Sequence, residues 1–176
     1  MKIVLIGFMG TGKSVVGSRL AERLGLSFVD LDDAIEEAAE MAIPEIFASE
    51  GESGFRRREW DLIASLATRR DCVIATGGGA VLDPENVRNL RIGALMVCLQ
   101  AEPTVILGRI GADAQRPLLQ TPDRLARIRE LLEQRAPAYA QADLTVETSG
   151  FDVEEIVDRI VQYFHLESVG TKGAGR

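Results

Sequence analysis

Histidine occurs once in 176 residues, tryptophan once and cysteine twice, and aromatic residues make up only 5% of the chain. The single histidine, His165, ends an amphipathic segment, where a solvated or capping role fits better than catalysis. Cys72 and Cys98 stand in separate apolar runs with no metal-ligand spacing around them. They read as small buried hydrophobes rather than as a disulfide. No apolar run approaches the roughly 18 residues of a membrane span, and no charged-then-apolar leader with a cleavage site opens the chain. These shortages point to a protein of a reducing cytoplasm, with no membrane partner. A basic excess is missing as well, since the net charge is −7. That argues against a nucleic-acid-binding surface. Internal repeats and low-complexity blocks are absent. What remains is ordinary globular composition, 46% hydrophobic and 27% charged, sufficient for one domain with a real core.

Glycine, by contrast, is placed with purpose. Gly7 to Ser14 read Gly-Phe-Met-Gly-Thr-Gly-Lys-Ser, a complete phosphate-binding loop. It follows the apolar run Ile3-Val4-Leu5-Ile6 and precedes a helical pattern in which Val16, Leu20 and Leu24 recur every four residues, with Val15 and Ala21 widening the stripe. Strand, loop and helix in that order are the context the motif requires. Its glycines let backbone N–H groups curl around phosphate oxygens, and the helix N-terminus favours their charge. Lys13 suits the β- and γ-phosphates, and the Ser14 hydroxyl suits Mg²⁺. The spacing therefore predicts a nucleoside triphosphate site.

Apolar runs at 2–6, 27–30, 72–75, 94–99 and 143–147 alternate with helical patterns, which predicts a mostly parallel sheet covered on both faces. The clearest helix carries Val153, Ile156, Val157, Ile160, Val161 and Phe164, with Asp152 as its N-cap candidate. Another runs from about Pro122 to Arg135, with Leu125, Ile128 and Leu132 on one face. Residues 32–69 form a long helical excursion between the second and third strands, and Gly111 and Pro117 break the pattern over 110–121. Such excursions carry substrate sites and lids. Residues 167–176 read as a disordered tail.

Three groups of residues suggest chemistry beyond the loop. Asp30-Leu31-Asp32-Asp33 follow the second strand, at the end of the sheet where ligands gather. Strand alternation puts Asp30 and Asp32 on one side and Leu31 on the other. Two readings stand: a carboxylate that holds Mg²⁺ or orients an attacking hydroxyl, and Asp32 or Asp33 as the cap of the next helix. Gly77-Gly78-Gly79 follow the third strand through Thr76 and suit close approach of a ligand to main chain. Residues 109–135 hold six arginines against four acids, a basic stretch in an acidic protein. Arg116, beside Pro117, suits folding over a triphosphate. Arg135 could equally complement the dipole at a helix end before Pro137. Arg56, Arg57 and Arg58 point about 100° apart on a helix, so one or two can share a site, and Arg56 can pair with Glu59. An anionic small substrate is the common implication. Neither Asn-Lys-x-Asp nor Asp-x-x-Gly occurs, which removes the usual marks of a GTPase switch.

Together these residues resemble the shikimate kinase family, a branch of the P-loop proteins related to nucleoside-monophosphate kinases. The likeness spans the chain to about residue 165. It rests on Gly-Phe-Met-Gly-Thr-Gly-Lys-Ser, Asp30-x-Asp32, Ile46-Phe47 with Gly51-Glu52-x-x-Phe55-Arg56, Thr76-Gly-Gly-Gly79, Arg116-Pro-Leu-Leu119 and Arg135-Ala-Pro-x-Tyr139. The resemblance implies an α/β three-layer P-loop kinase fold whose five-stranded parallel sheet has the order 2-3-1-4-5. It implies one domain over 1–166, with a helical substrate-binding insert at about 32–60 and a lid at about 110–123. The implied activity is transfer of the ATP γ-phosphoryl group to the 3-hydroxyl of shikimate by a monomer. The alternatives are a kinase of another small acceptor, such as gluconate, and an ATP-binding module without catalysis.

The roles it implies follow the motifs. Gly10, Thr11, Gly12, Lys13, Ser14 and Val15 hold the phosphates, and Ser14 and Asp30 hold Mg²⁺. Asp32 binds the acceptor hydroxyls and orients or deprotonates the attacking one. Arg56 and Arg135 grip the substrate carboxylate, Glu59 braces them, and Gly77, Gly78 and Gly79 line the substrate. Arg116 reaches the phosphates from the lid, and Arg109 packs on adenine. The likeness departs at Thr148-Ser149-Gly150-Phe151, where the family often has a basic or proline-containing adenine loop.

Overall fold

Strand β1 (Lys2–Ile6) is buried along its whole length, as a central parallel strand covered on both faces must be. In the computed structural model, which describes residues 1–111 and 121–170, β1 pairs in parallel with β3 (Cys72–Ala75) on one side and β4 (Leu95–Gln100) on the other. The outer strands are β2 (Ser27–Asp30), against β3, and β5 (Leu144–Glu147), against β4. The sheet order is β2-β3-β1-β4-β5, as the family resemblance implied.

Alternation along each strand builds two cores. Ile3, Leu5, Val73, Val97 and Leu99 pack against α1 (Lys13–Leu24) and α7 (Val153–Gly170) through Val16, Leu20, Ile156, Val157 and Ile160. Val4, Ile6, Ile74, Met96 and both cysteines face the opposite layer. That layer contains α3 (Ile43–Leu66), α4 (Pro84–Arg91), α5 (Pro103–Ile110) and α6 (Arg124–Tyr139). The cysteines are buried and unpaired, and burial pushes the Cys98 thiol up to about 11. Among the described residues, no helix is long and apolar enough to cross a membrane.

The excursion after β2 is two helices with a core of their own. In it α2 (Leu31–Ala39) and α3 bury Ile35, Ile46 and Phe55. Gly51 breaks α3 with φ 71° and ψ −177°, a combination open in practice only to glycine. The bend stacks Phe47 on Phe55 at 4.9 Å between ring centroids and turns the second half of α3 toward the sheet.

Several local expectations need correction. The second strand ends at Asp30 as expected, but strand alternation does not relate Asp30 to Asp32: α2 begins at Leu31, and Asp30 is its cap, accepting the Asp32 N–H at 3.0 Å. Neither Asp32 nor Asp33 caps it. Val15 does not widen the buried stripe of α1 but is 61% exposed. The inward face of α6 is Ile128, Leu131, Arg135 and Tyr139, with Leu132 partly buried against the same core and Leu125 outside it. That helix also continues through Pro137 to Tyr139. Proline there forfeits a bond to the carbonyl of residue 133, and Glu133 is exposed, so water can serve that carbonyl. Helix α7 runs to Gly170, into the stretch expected to be tail. Residues 112–120, with Arg116 and most of the expected lid, lie outside the described residues, as do 171–176. His165 is exposed, its ring edge-on to Phe164.

Candidate active site

The phosphate loop leaves the end of β1 and enters α1 with Gly10 and Gly12 at φ 77° and 93°. No side chain caps α1, and the first intrahelical bond is Val16 N–H to Gly12 O at 2.9 Å. The first-turn amides therefore have no intrahelical acceptor and stand at the positive end of the helix dipole. The Lys13 ammonium lies across the loop, donating to Gly7 O and Phe8 O at 2.9 Å each. The Thr11 hydroxyl and N–H both donate to Phe8 O, at 2.8 and 3.4 Å, so Thr11 braces the loop from within. The Ser14 hydroxyl donates to Asp30 Oδ2 at 2.6 Å. The other oxygen of Asp30 caps α2, so one carboxylate ties the phosphate loop to the insert.

On the β2/β3 side of the loop lies a cavity of about 340 Å³, whose walls include Lys13, Ser14, Asp30, Asp32, Arg56, Glu59, the three glycines and Arg135. The carboxylate of Asp32, in the first turn of α2, and that of Glu59, on α3, both approach Gly77. A Cβ there would sit 3.0 Å from Asp32 Oδ1 and 3.1 Å from Glu59 Oε1. A Cβ on Gly79 would come within 2.6 Å of an Arg56 nitrogen, and one on Gly78 within 3.4 Å of an Arg135 nitrogen. None of the three has a positive φ. The triplet is thus required by close packing of charged side chains on bare backbone rather than by an unusual conformation.

Two guanidinium groups reach this cavity from different elements. Arg56 pairs with Glu59 at 2.7 Å and lies over the Phe55 ring at 5.3 Å. Arg57 and Arg58 turn elsewhere, Arg58 bonding to Glu50 across the Gly51 bend at 2.7 Å. Arg135 is buried, donates to Gly78 O at 3.1 Å, and faces the Phe8 ring at 5.4 Å. The alternative, a cation ending its helix before Pro137, does not hold, since α6 runs on to Tyr139. Glu59 is 1% exposed and its Oε1 has no hydrogen-bond partner among the described residues. Burial raises its pKa above the usual carboxylate value, against the opposing pull of Arg56.

Sequence reasoning assigned no role to Tyr139, although its motif was quoted. Its hydroxyl donates to Gly78 O at 2.8 Å, beside Arg135. Met9, Ile43, Phe47 and Phe55 supply an apolar wall, and of these only Ile43 fell outside the recognised motifs. Arg109 is not in the cavity. It sits across the loop, bonded to Gly10 and Thr148.

The hard oxygen donors Ser14 and Asp30 suit Mg²⁺, which prefers a few protein ligands with water and phosphate completing its shell. Among the described residues no cluster of three or more His, Cys, Asp or Glu forms a dedicated metal cage. The arrangement can therefore hold a triphosphate, a divalent cation associated with it, and a small hydroxylated anion. Asp32 and the two arginines would meet the anion.

A model of the shikimate kinase family matches residues 9–165. A shikimate kinase of Thermodesulfovibrio yellowstonii is 45% identical over 168 residues, covering 96% of this chain and 97% of its own. One of Desulforudis audaxviator is 48% identical over 161 residues, 92% of this chain and 85% of its own. The solved structure of the Acinetobacter baumannii shikimate kinase in complex with shikimate superposes with a TM-score of 0.90 at 38% identity. The match covers 94% of this chain and 93% of that one.

Proposed function

The chain belongs to the shikimate kinase family, and from that premise we infer that it phosphorylates shikimate, moving the γ-phosphoryl group of ATP to the 3-hydroxyl. The products are shikimate 3-phosphate and ADP, an intermediate step of aromatic amino-acid synthesis. One observation carries this reading: Arg56 and Arg135, from α3 and α6, enter the same cavity as Lys13, Ser14 and Asp32. Two guanidinium forks beside a carboxylate suit an acceptor that carries both an acid group and hydroxyls.

In this reading the first-turn amides of α1 and Lys13 hold the phosphates, and the chain acts mainly by positioning and charge neutralisation. Asp32 accepts a hydrogen bond from the attacking hydroxyl and takes its proton as the new P–O bond forms. The carboxylate of the acceptor rests on Arg56 and Arg135, and the main chain of Gly77 to Gly79 lines its ring. Glu59 fixes the Arg56 fork from behind. Ser14 and Asp30 would hold Mg²⁺, which when bound neutralises charge on the β- and γ-phosphates. Arg116 would add positive charge from the lid. The protein works as a monomer, within the cytoplasm.

The test is an acceptor panel with Mg·ATP, following ADP release and the phosphorylated product by ³¹P NMR. Shikimate should support turnover, while gluconate and nucleoside monophosphates should not. ADP release independent of any acceptor would overturn the reading in favour of a module that only binds or slowly hydrolyses ATP.

A further inference from the structure

The guanidinium of Arg109 is held at three points although the residue is exposed. Nη1 donates to Thr148 Oγ1 at 2.8 Å and to Gly10 O at 3.3 Å, and Nη2 donates to Thr148 O at 2.8 Å. Thr148 is completely buried. Its N–H and its hydroxyl both donate to Gln100 O, at 2.8 and 2.9 Å. A hydroxyl has one hydrogen to give and lone pairs to receive. Thr148 Oγ1 therefore passes a continuous chain of bonds from the end of β4 to Arg109.

The sheet order says what lies there. The phosphate loop leaves β1, in the middle of the sheet, and the acceptor cavity lies on the β2/β3 side. In-line transfer points the γ-phosphoryl group at the acceptor. The nucleoside then extends the other way, over β4 and β5, where Arg109 and residues 148–151 stand. The only aromatic ring in that loop, Phe151, has Arg159 of α7 over one face at 3.7 Å. The planar group left presented at the base end is the Arg109 guanidinium, a good stacking partner for a purine.

We propose that Thr148 is a positioning residue for the nucleotide base, fixing the plane of Arg109 before ATP arrives. This rests on the reading of the loop as an ATP site. An exposed arginine ordinarily loses rotamer freedom when it binds a ligand, and prior anchoring removes that cost.

Thr148→Val keeps shape, and the Thr148 N–H still serves Gln100 O. It should raise the KM for ATP about tenfold, the low end of the scale for one hydrogen bond to a charged group. The KM for shikimate and the inhibition constant of magnesium tripolyphosphate, which has no base, should stay at the wild-type values. Thr148→Ser, which restores the hydroxyl, should recover the ATP KM. Equal weakening of ATP and tripolyphosphate would mean that Thr148 only supports the loop, and would overturn the proposal. So would an unchanged ATP KM in Thr148→Val while Arg109→Ala raises it. If Arg109→Ala itself leaves the ATP KM unchanged, the base-end reading fails, and the proposal with it.

Discussion

The three glycines after β3 show how single atoms set the acceptor site. Gly79 faces Arg56 so closely that a Cβ would meet its guanidinium at 2.6 Å. Because that group is the end of a flexible side chain, Gly79→Ala should displace the arginine rather than disrupt the fold. We expect the KM for shikimate to rise about tenfold, as for loss of one charge-assisted bond, with the KM for ATP and the melting temperature little changed. Steady-state kinetics beside thermal unfolding would check both. Glu59 makes a second prediction. Its folded-state pKa is raised by burial, so folding favours its neutral form. The stability it lends is complete below its unfolded pKa of about 4.5 and is lost as pH rises through the higher folded value. Wild type should therefore gain stability relative to Glu59→Gln as pH falls toward 4.5. Denaturant titrations across that window would show a constant difference if Glu59 were unperturbed.

At the level of elements, much of the molecule was legible because periodicity and end signals agree. The five apolar runs became β1 to β5, and Asp152 does cap α7, reciprocated by Glu155 at 2.9 Å in each direction. What was not legible depended on tertiary contacts. Asp30 serves as cap and as the Ser14 partner at once, and three adjacent acids do not reveal which one starts the helix. Pro137 suggested a helix end, yet its cost falls in a last turn open to water, while Tyr139 and Arg135 anchor that turn to Gly78. The triple glycine was recognised as a close approach, but the approaching groups are the protein's own Asp32, Glu59, Arg56 and Arg135. Gly51 is the element-scale counterpart. Open space surrounds it, so Gly51→Ala creates no clash and acts through backbone strain alone, about 1–3 kcal/mol. We expect a lower melting temperature together with a higher shikimate KM, since the bend aims Phe55, Arg56 and Glu59. Unchanged values of both would show that the bend is not needed.

Across the whole molecule, the order β2-β3-β1-β4-β5 would, on the proposed reading, lay out acceptor, phosphates and base along the carboxyl ends of the strands. The phosphate loop was the most legible part from sequence because its chemistry is local. The proposed acceptor site was the least, since its candidate residues come from α2, α3, the β3 loop and α6, far apart in the chain. On the proposed reading, Arg56 and Arg135 select for a negatively charged carboxylate on the acceptor. The most direct measurement compares kcat/KM for shikimate with that for its neutral methyl ester, in wild type and in Arg135→Ala. Wild type should prefer the acid by about 10²-fold, as loss of charge-assisted bonds implies, and the preference should shrink in the variant. Equal use of acid and ester by wild type would contradict the arginine clamp.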